Sequence, residues 1–196
     1  MKNLSLLTRK ILALCGALVL AFLDQLIKYL VVIFISPMNL PQIELIPGVL
    51  SLTYVDNPGI AWSLFMDHPE LLTLFTALLM LLLLVLFFTK FVRSNVLMVF
   101  LMLVLGGGLG NLADRVFRGS VVDYIHLEFL DFPIFNLADC LVVVGVLLTL
   151  VWLLAYWFRE EKTDEPEHAA PSKKTVKKKS GERELVEKHS QEDLND

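Results

Sequence analysis

Four long apolar runs decide what this chain is able to fold into. Ile11–Ile35, Leu71–Phe91, Asn95–Asp114 and Asn136–Phe158 each match the length a helix needs to cross a bilayer core, about 20 residues for about 30 Å. The first run follows Lys2, Arg9 and Lys10, as a signal peptide would. It is too long for one, and no small-residue cleavage site follows. The expectation is an all-α integral membrane protein of four transmembrane helices.

Charge is placed around these runs rather than through them. Charged residues make up 19% of the 196-residue chain, and from Arg159 onward lie nine of its 17 Lys+Arg and eleven of its 21 Asp+Glu. That stretch has no apolar period, so residues 159–196 read as a disordered tail behind a membrane body of residues 1–158. The tail's Lys177–Lys179 run sits among acids, which favours a solvated tail over a lipid-binding cluster. The net charge of −4 averages body and tail and points to no nucleic-acid partner. Cys15 and Cys140 have neither disulfide nor metal-ligand spacing and read as small buried hydrophobes.

Orientation follows from the bias of Lys and Arg toward the cytoplasm. Lys2, Arg9 and Lys10 precede the first run, Lys90 and Arg93 sit between the second and third, and Arg159 and Lys162 follow the fourth. The loop from Ser36 to Glu70 contains neither Lys nor Arg. Both termini are therefore expected in the cytoplasm, with Ser36–Glu70 and Arg115–Phe135 outside. Arg115 and Arg118 run against the bias, which marks them as functional candidates. Within the first outer loop, Pro47-Gly48 separates two short β-prone runs, and Leu50, Leu52 and Tyr54 alternate with Ser51 and Thr53. A small extracytoplasmic β-hairpin or cradle with one apolar face is expected there.

Ionisable residues in or beside spanning helices are candidates for function. Asp24 and Lys28 lie four apart on one helix face and are placed to pair. The glycines of Gly106-Gly-Gly-Leu-Gly-Asn-Leu-Ala-Asp-Arg115 permit close helix packing, and no strand or Gly-Lys-Ser/Thr makes them a phosphate loop. Asn111, Asp114 and Arg115 are expected on one face, with Asp114 ionised beside Arg115 in a structural role. Asn136 is a candidate N-cap, which puts Asp139 in the first turn of the fourth helix. The helix end favours the charged form of Asp139, whereas a nearby carboxylate and burial favour protonation. Asp123 and Asp139 therefore admit two readings. One is a helix cap plus a loop aspartate, which capping preferences favour. The other is a pair sharing one proton, as in aspartic proteases. A small transporter with a polar pathway through Asp24, Lys28, Asp114 and Arg115 and a non-catalytic scaffold are further readings.

The ordered motifs shift that balance. Asp24-Gln-Leu-Ile-Lys28, Ile46-Pro-Gly48, Asn57-Pro-Gly-Ile-Ala61, Gly110-Asn-Leu-Ala-Asp-Arg115, Val122-Asp123 and Phe135-Asn-Leu-Ala-Asp139 together resemble the lipoprotein signal peptidases, or signal peptidases II. The match covers most of residues 11–158, departing only in details such as Ile60 and Trp62. The resemblance implies an intramembrane aspartic endopeptidase that removes signal peptides from diacylglyceryl-modified prolipoproteins, just before the lipidated cysteine. It maps a catalytic dyad onto Asp123 and Asp139, and supporting or substrate-binding positions onto Asn57, Asn111, Arg115 and Asn136. Asp24, Lys28, Gly59 and Asp114 fall on further motif positions. It implies no metal or organic cofactor. The expected setting is the bacterial cytoplasmic membrane, with the site near its outer face. Prolipoproteins and membrane lipids are the expected partners of a monomer, with the Ser36–Glu70 loop helping to clamp the substrate.

Overall fold

The computed structural model describes residues 4–36, 42–59 and 68–163, the last four of these by backbone only. Its elements are α1 (Leu6–Phe34), β1 (Ile43–Ile46), β2 (Leu50–Asn57), α2 (Pro69–Phe88), α3 (Asn95–Arg118), β3 (Val121–Leu127) and α4 (Leu137–Thr163). The chain separates into two compact units, residues 1–153 and 154–196. Of the second, only the end of α4 is described. Lys2, part of the 36–70 loop (residues 37–41 and 60–67, with Ile60 and Trp62) and the tail from residue 164 lie outside the described residues.

All four helices are long and apolar enough to cross a membrane. Each helix absorbs polar residues at one end relative to the hydropathy-based bounds, whereas α2 stops short of Phe91, at Phe88. α1 begins at Leu6, where the Ser5 side chain accepts from Thr8 N–H at 3.1 Å. Lys10 lies inside the helix and is buried, donating to the Thr89 carbonyl at the end of α2 at 2.7 Å. Arg9 donates to Asn95 Oδ1 at 2.7 Å, at the start of α3. α3 continues past Asp114 to Arg118 and stops at Gly119, whose φ of 80° is left-handed and whose N–H returns to the Arg115 carbonyl. Cys15 is exposed rather than buried, because it lies on a surface of α1 that the bundle leaves uncovered.

α3 is the centre of the bundle, and its glycines explain how. A side chain at Gly106 would strike Leu20 of α1 at 2.8 Å, and one at Gly107 would strike the Ala138 carbonyl of α4. At Gly108 it would meet Met80 of α2, and at Gly110 Asp24 of α1, 2.5 Å from its Oδ2. Consecutive glycines face different partners, so three helices approach one backbone closely. In lipid, where apolar contact alone does little to hold helices together, such close packing is a principal source of association.

The expected hairpin is present as β1 and β2, antiparallel around the Pro47–Val49 turn. A third strand, β3, completes a sheet of order β1-β2-β3. The reading of residues 115–135 as loop missed it, although Val121-Val-Asp-Tyr-Ile125 is rich in β-branched and aromatic residues. The face pattern of β2 also differs from expectation. Leu52 and Tyr54 do pack toward Val31, Val122 and Tyr124, but Ser51 is the fully buried residue, between Gln42 and His126. The register shifts between Leu52 and Val55, so simple alternation does not carry through the strand.

Candidate active site

The segment after β3 turns back on it. Ile125 donates its N–H to the Phe135 carbonyl at 2.7 Å, and Phe135 returns the bond at 3.1 Å. Antiparallel pairing at that bridge carries the next residues of the chain toward Asp123, two positions before Ile125. Asn136 then starts α4. Its Oδ1 accepts from Asp139 N–H at 3.0 Å while Asp139 Oδ2 accepts from Asn136 N–H at 3.0 Å, a reciprocal cap that fixes the first turn. Tyr124 helps by accepting from Leu137 N–H at 3.2 Å.

Asn136 thereby touches both aspartates. Its side-chain Nδ2 donates to Asp123 Oδ1 at 2.6 Å, and its backbone donates to Asp139 Oδ2. The remaining oxygens are also served. Asn57 Nδ2, from the end of β2, donates to Asp123 Oδ2 at 2.8 Å, and Asn111 Nδ2, from α3, donates to Asp139 Oδ1 at 2.7 Å. Every carboxylate oxygen of the two residues accepts one hydrogen bond from a neutral amide. Each keeps further acceptor capacity, because a carboxylate oxygen carries two lone pairs. Gly59 N–H donates to Asn57 Oδ1 at 3.0 Å, which leaves the Asn57 Nδ2 group facing Asp123. Burial is the main cause that pushes the Asp123 carboxyl up to about 6, and the Asp139 charge adds to it against the opposing Asn57 and Asn136 donors.

A second polar cluster lies behind this pair. Lys28 Nζ contacts Asp24 Oδ2, Asp114 Oδ2 and Asn111 Oδ1, each at 2.8 Å, and Asp24, Lys28 and Asp114 are fully buried. Asp24 Oδ1 accepts from Ala138 N–H at 3.1 Å, in the first turn of α4. Gln25 Nε2 donates to Asp114 Oδ1 at 3.1 Å and to the Gly110 carbonyl at 3.0 Å. The expected Asp24–Lys28 pair is therefore present, but the expected Asp114–Arg115 pair is not. Adjacent residues on a helix are turned by about 100°, so Asp114 faces Lys28 and Arg118 while Arg115 faces the opposite cluster. Asn111 lies between them on the same face of α3 and reaches both clusters, Lys28 through its Oδ1 and Asp139 through its Nδ2.

Arg115 reaches the Gly59 carbonyl at 3.3 Å and the Asn111 carbonyl at 3.5 Å, and its buried Nε has no partner. It borders a cavity of about 500 Å³ lined on one side by Asn57, Asn111, Asp123 and Asp139. The other side is apolar: Phe132 and Phe135 from the loop, and Val143 and Val144 from α4. Cys140 is half-buried in the same wall rather than in the core. The cavity thus joins a hydrogen-bonded carboxylate pair to a surface suited to hydrocarbon.

All ten residues singled out in the sequence are described. Asn57, Gly59, Asn111, Arg115, Asp123 and Asp139 border the cavity, and the buried Asn136 contacts both of its aspartates. Asp24, Lys28 and Asp114 form the supporting cluster. Gln25 was missed; its only sequence signal is its place between Asp24 and Lys28 on a helix turn.

The family model of signal peptidase (SPase) II, Peptidase_A8, matches residues 16–155, which include both clusters. The chain belongs to the signal peptidase II family. A lipoprotein signal peptidase of Streptococcus thermophilus is 40% identical over 145 residues, 74% of this chain and 94% of that protein. One of Enterococcus faecalis is 40% identical over 132 residues, 67% of this chain and 81% of that protein. Among solved structures, a bacterial membrane enzyme determined by the in meso method at 2.3 Å superposes with a TM-score of 0.67 at 28% identity. That alignment covers 81% of this chain and 94% of the other. As a member of the signal peptidase II family, the chain is a protease of signal peptides and a multi-pass protein of a bacterial membrane. All ten of the site and supporting residues lie within that matched region.

Proposed function

We propose that this protein is an aspartic endopeptidase whose dyad is Asp123 and Asp139. Its substrates are diacylglyceryl-modified prolipoproteins, and it cuts the signal peptide just before the lipidated cysteine. The observation that carries the reading is Asn136, which binds Asp123 through its side chain and Asp139 through its backbone. One residue holds both carboxyls, and burial raises the Asp123 carboxyl to about 6, which favours retention of a proton there.

In this mechanism the ionised carboxylate takes a proton from a water molecule. The water oxygen attacks the scissile carbonyl while the protonated partner donates to the carbonyl oxygen. Collapse of the tetrahedral intermediate breaks the C–N bond, and the leaving amine takes a proton from the dyad. Asn57, Asn111 and Asn136 hold the carboxyls through these exchanges, and Arg115 is available to the peptide chain at Gly59. The apolar wall of Phe132, Phe135, Val143 and Val144 receives the substrate's hydrocarbon parts. No metal or organic cofactor enters this scheme.

The positive-inside pattern supports cytoplasmic termini and a site near the outer face, where water reaches a bond at the membrane boundary. Residues 1–158 then form the membrane peptidase domain, acting as a monomer among membrane lipids, and residues 159–196 a charged cytoplasmic tail. The described part of the outer loop brings Asn57 and Gly59 to the substrate. The test is incubation of purified protein with a diacylglyceryl-modified precursor and with its unlipidated counterpart. Cleavage of the first alone, lost in both Asp123→Asn and Asp139→Asn, is expected. Cleavage retained in either variant removes the dyad.

A further inference from the structure

We infer that Lys28 is a positioning residue for the proteolytic step, acting on Asp139 through the side-chain amide of Asn111. This deepens the proposed dyad and rests on it. An ammonium has three N–H donors and no acceptor. Lys28 spends them on Asp24 Oδ2, Asp114 Oδ2 and Asn111 Oδ1, all at 2.8 Å and away from solvent. Whatever atom of Asn111 faces Lys28 must therefore be an acceptor. That requirement fixes the amide, because its oxygen is committed to Lys28 and its Nδ2 is left pointing at Asp139 Oδ1, 2.7 Å away. Asn136 Nδ2 reinforces the choice by donating to the same Asn111 oxygen at 3.2 Å.

A flipped amide would set its NH2 group against the ammonium and its oxygen against the Asp139 carboxylate. Both contacts are repulsive, so the orientation has one stable state. Lys28 is itself fixed by residues of two helices. Asp24 is held by the start of α4 through Ala138 N–H, and Asp114 by Gln25 and by Val122 N–H at 3.5 Å. The relay thus runs from a buried ion cluster, through one neutral amide, to a carboxylate that borders the cavity. Lys28 touches neither the cavity nor Asp139, which separates its part from that of the dyad.

Removing Lys28 alone strands two buried carboxylates and threatens folding. The triple variant Asp24→Asn/Lys28→Met/Asp114→Asn instead neutralises the cluster as a unit. It is expected to fold while kcat falls about 10- to 100-fold, the range for one misdirected charge-assisted hydrogen bond, with KM unchanged. A second variant, Asn111→Asp, preserves a third acceptor for Lys28 but presents an oxygen to Asp139; the same kcat loss is expected with the fold retained. In an Asn111→Ala background, neutralising the cluster should produce no further loss of kcat, since the relay is already cut. Unchanged kcat in folded Asn111→Asp, or multiplicative losses in the Asn111→Ala background, overturns the relay. Asp123→Asn and Asp139→Asn are assayed alongside: if they still cleave, the dyad reading has failed instead.

Discussion

Replacing Asn136 by serine separates its two duties. Serine keeps a capping oxygen for Asp139 N–H, so the start of α4 is preserved. It loses the Nδ2 that donates to Asp123 Oδ1 at 2.6 Å. A hydrogen bond to a charged group contributes about 1.5–3 kcal/mol, and it favours the ionised form of Asp123. At about 1.4 kcal/mol per pH unit, its loss raises the Asp123 carboxyl by about 1–2 units. The starting point is about 6, so the carboxyl should titrate at about 7–8 in the variant. The proposed dyad mechanism needs one proton, which is lost as pH rises through this value. The alkaline limb of the kcat/KM profile, which reports the free enzyme, should therefore move upward by about 1–2 units. The assay is cleavage of a lipidated precursor in micelles from pH 5 to pH 9. A limb that stays in place, or moves down, refutes the claim that Asn136 holds the ionised form of Asp123.

Other outcomes follow from the same contacts. Gly107→Ala puts a methyl group onto the Ala138 carbonyl and should destabilise the bundle by about 1–3 kcal/mol, read as a lower melting temperature in detergent. Gly48→Ala meets no atom within 4 Å but has φ of 68°, so its loss should be confined to about 1 kcal/mol of backbone strain. The raised Asp123 carboxyl also affects stability: between 3.8 and about 6 the folded state holds a proton that the unfolded chain releases. Stability should fall by roughly 3 kcal/mol as pH rises through that window, with the contribution complete below it. Thermal unfolding of wild type against Asp123→Asn at the two ends of the window checks this, and equal slopes would reject it. Val143→Trp fills the apolar wall of the cavity and should raise KM about tenfold, or 1.4 kcal/mol of binding, with little change in kcat; an unchanged KM places the hydrocarbon elsewhere.

The helices were legible because hydropathy over 20 residues is a long-range signal, whereas their ends were decided by single contacts such as Lys10 on the Thr89 carbonyl. The hairpin was legible from Pro47-Gly48, but β3 was not, since a strand's pairing with β2 more than 60 residues earlier leaves only weak local traces. Motifs singled out the residues of the candidate site but not their partners. Asp114 and Arg115 are neighbours in sequence and belong to different clusters, a separation that the turn of α3 makes natural once both sides of the helix are occupied. Gln25 illustrates the opposite limit. An uncharged residue between two charged ones carries no distinguishing pattern, yet its amide joins α1 to both Gly110 and Asp114.

The packing of the bundle and the chemistry of the site have one physical origin. In lipid, burying apolar surface does not draw helices together, so close backbone approach and buried polar contacts must. The glycines of α3 provide the approach, and they do so where Asp24 and Ala138 would otherwise be excluded. Once α1 and α4 are that near, Asp24 meets the first turn of α4, Lys28 meets Asn111, and Asn111 meets Asp139. The contacts that hold α1, α3 and α4 together are therefore the contacts that aim a donor at the carboxylate. A substitution that loosens the bundle at Gly110 should depress kcat before it unfolds the protein, because the Asp24 position it disturbs is the first link of that chain. Activity lost only in step with the folded fraction would show that packing and chemistry are independent.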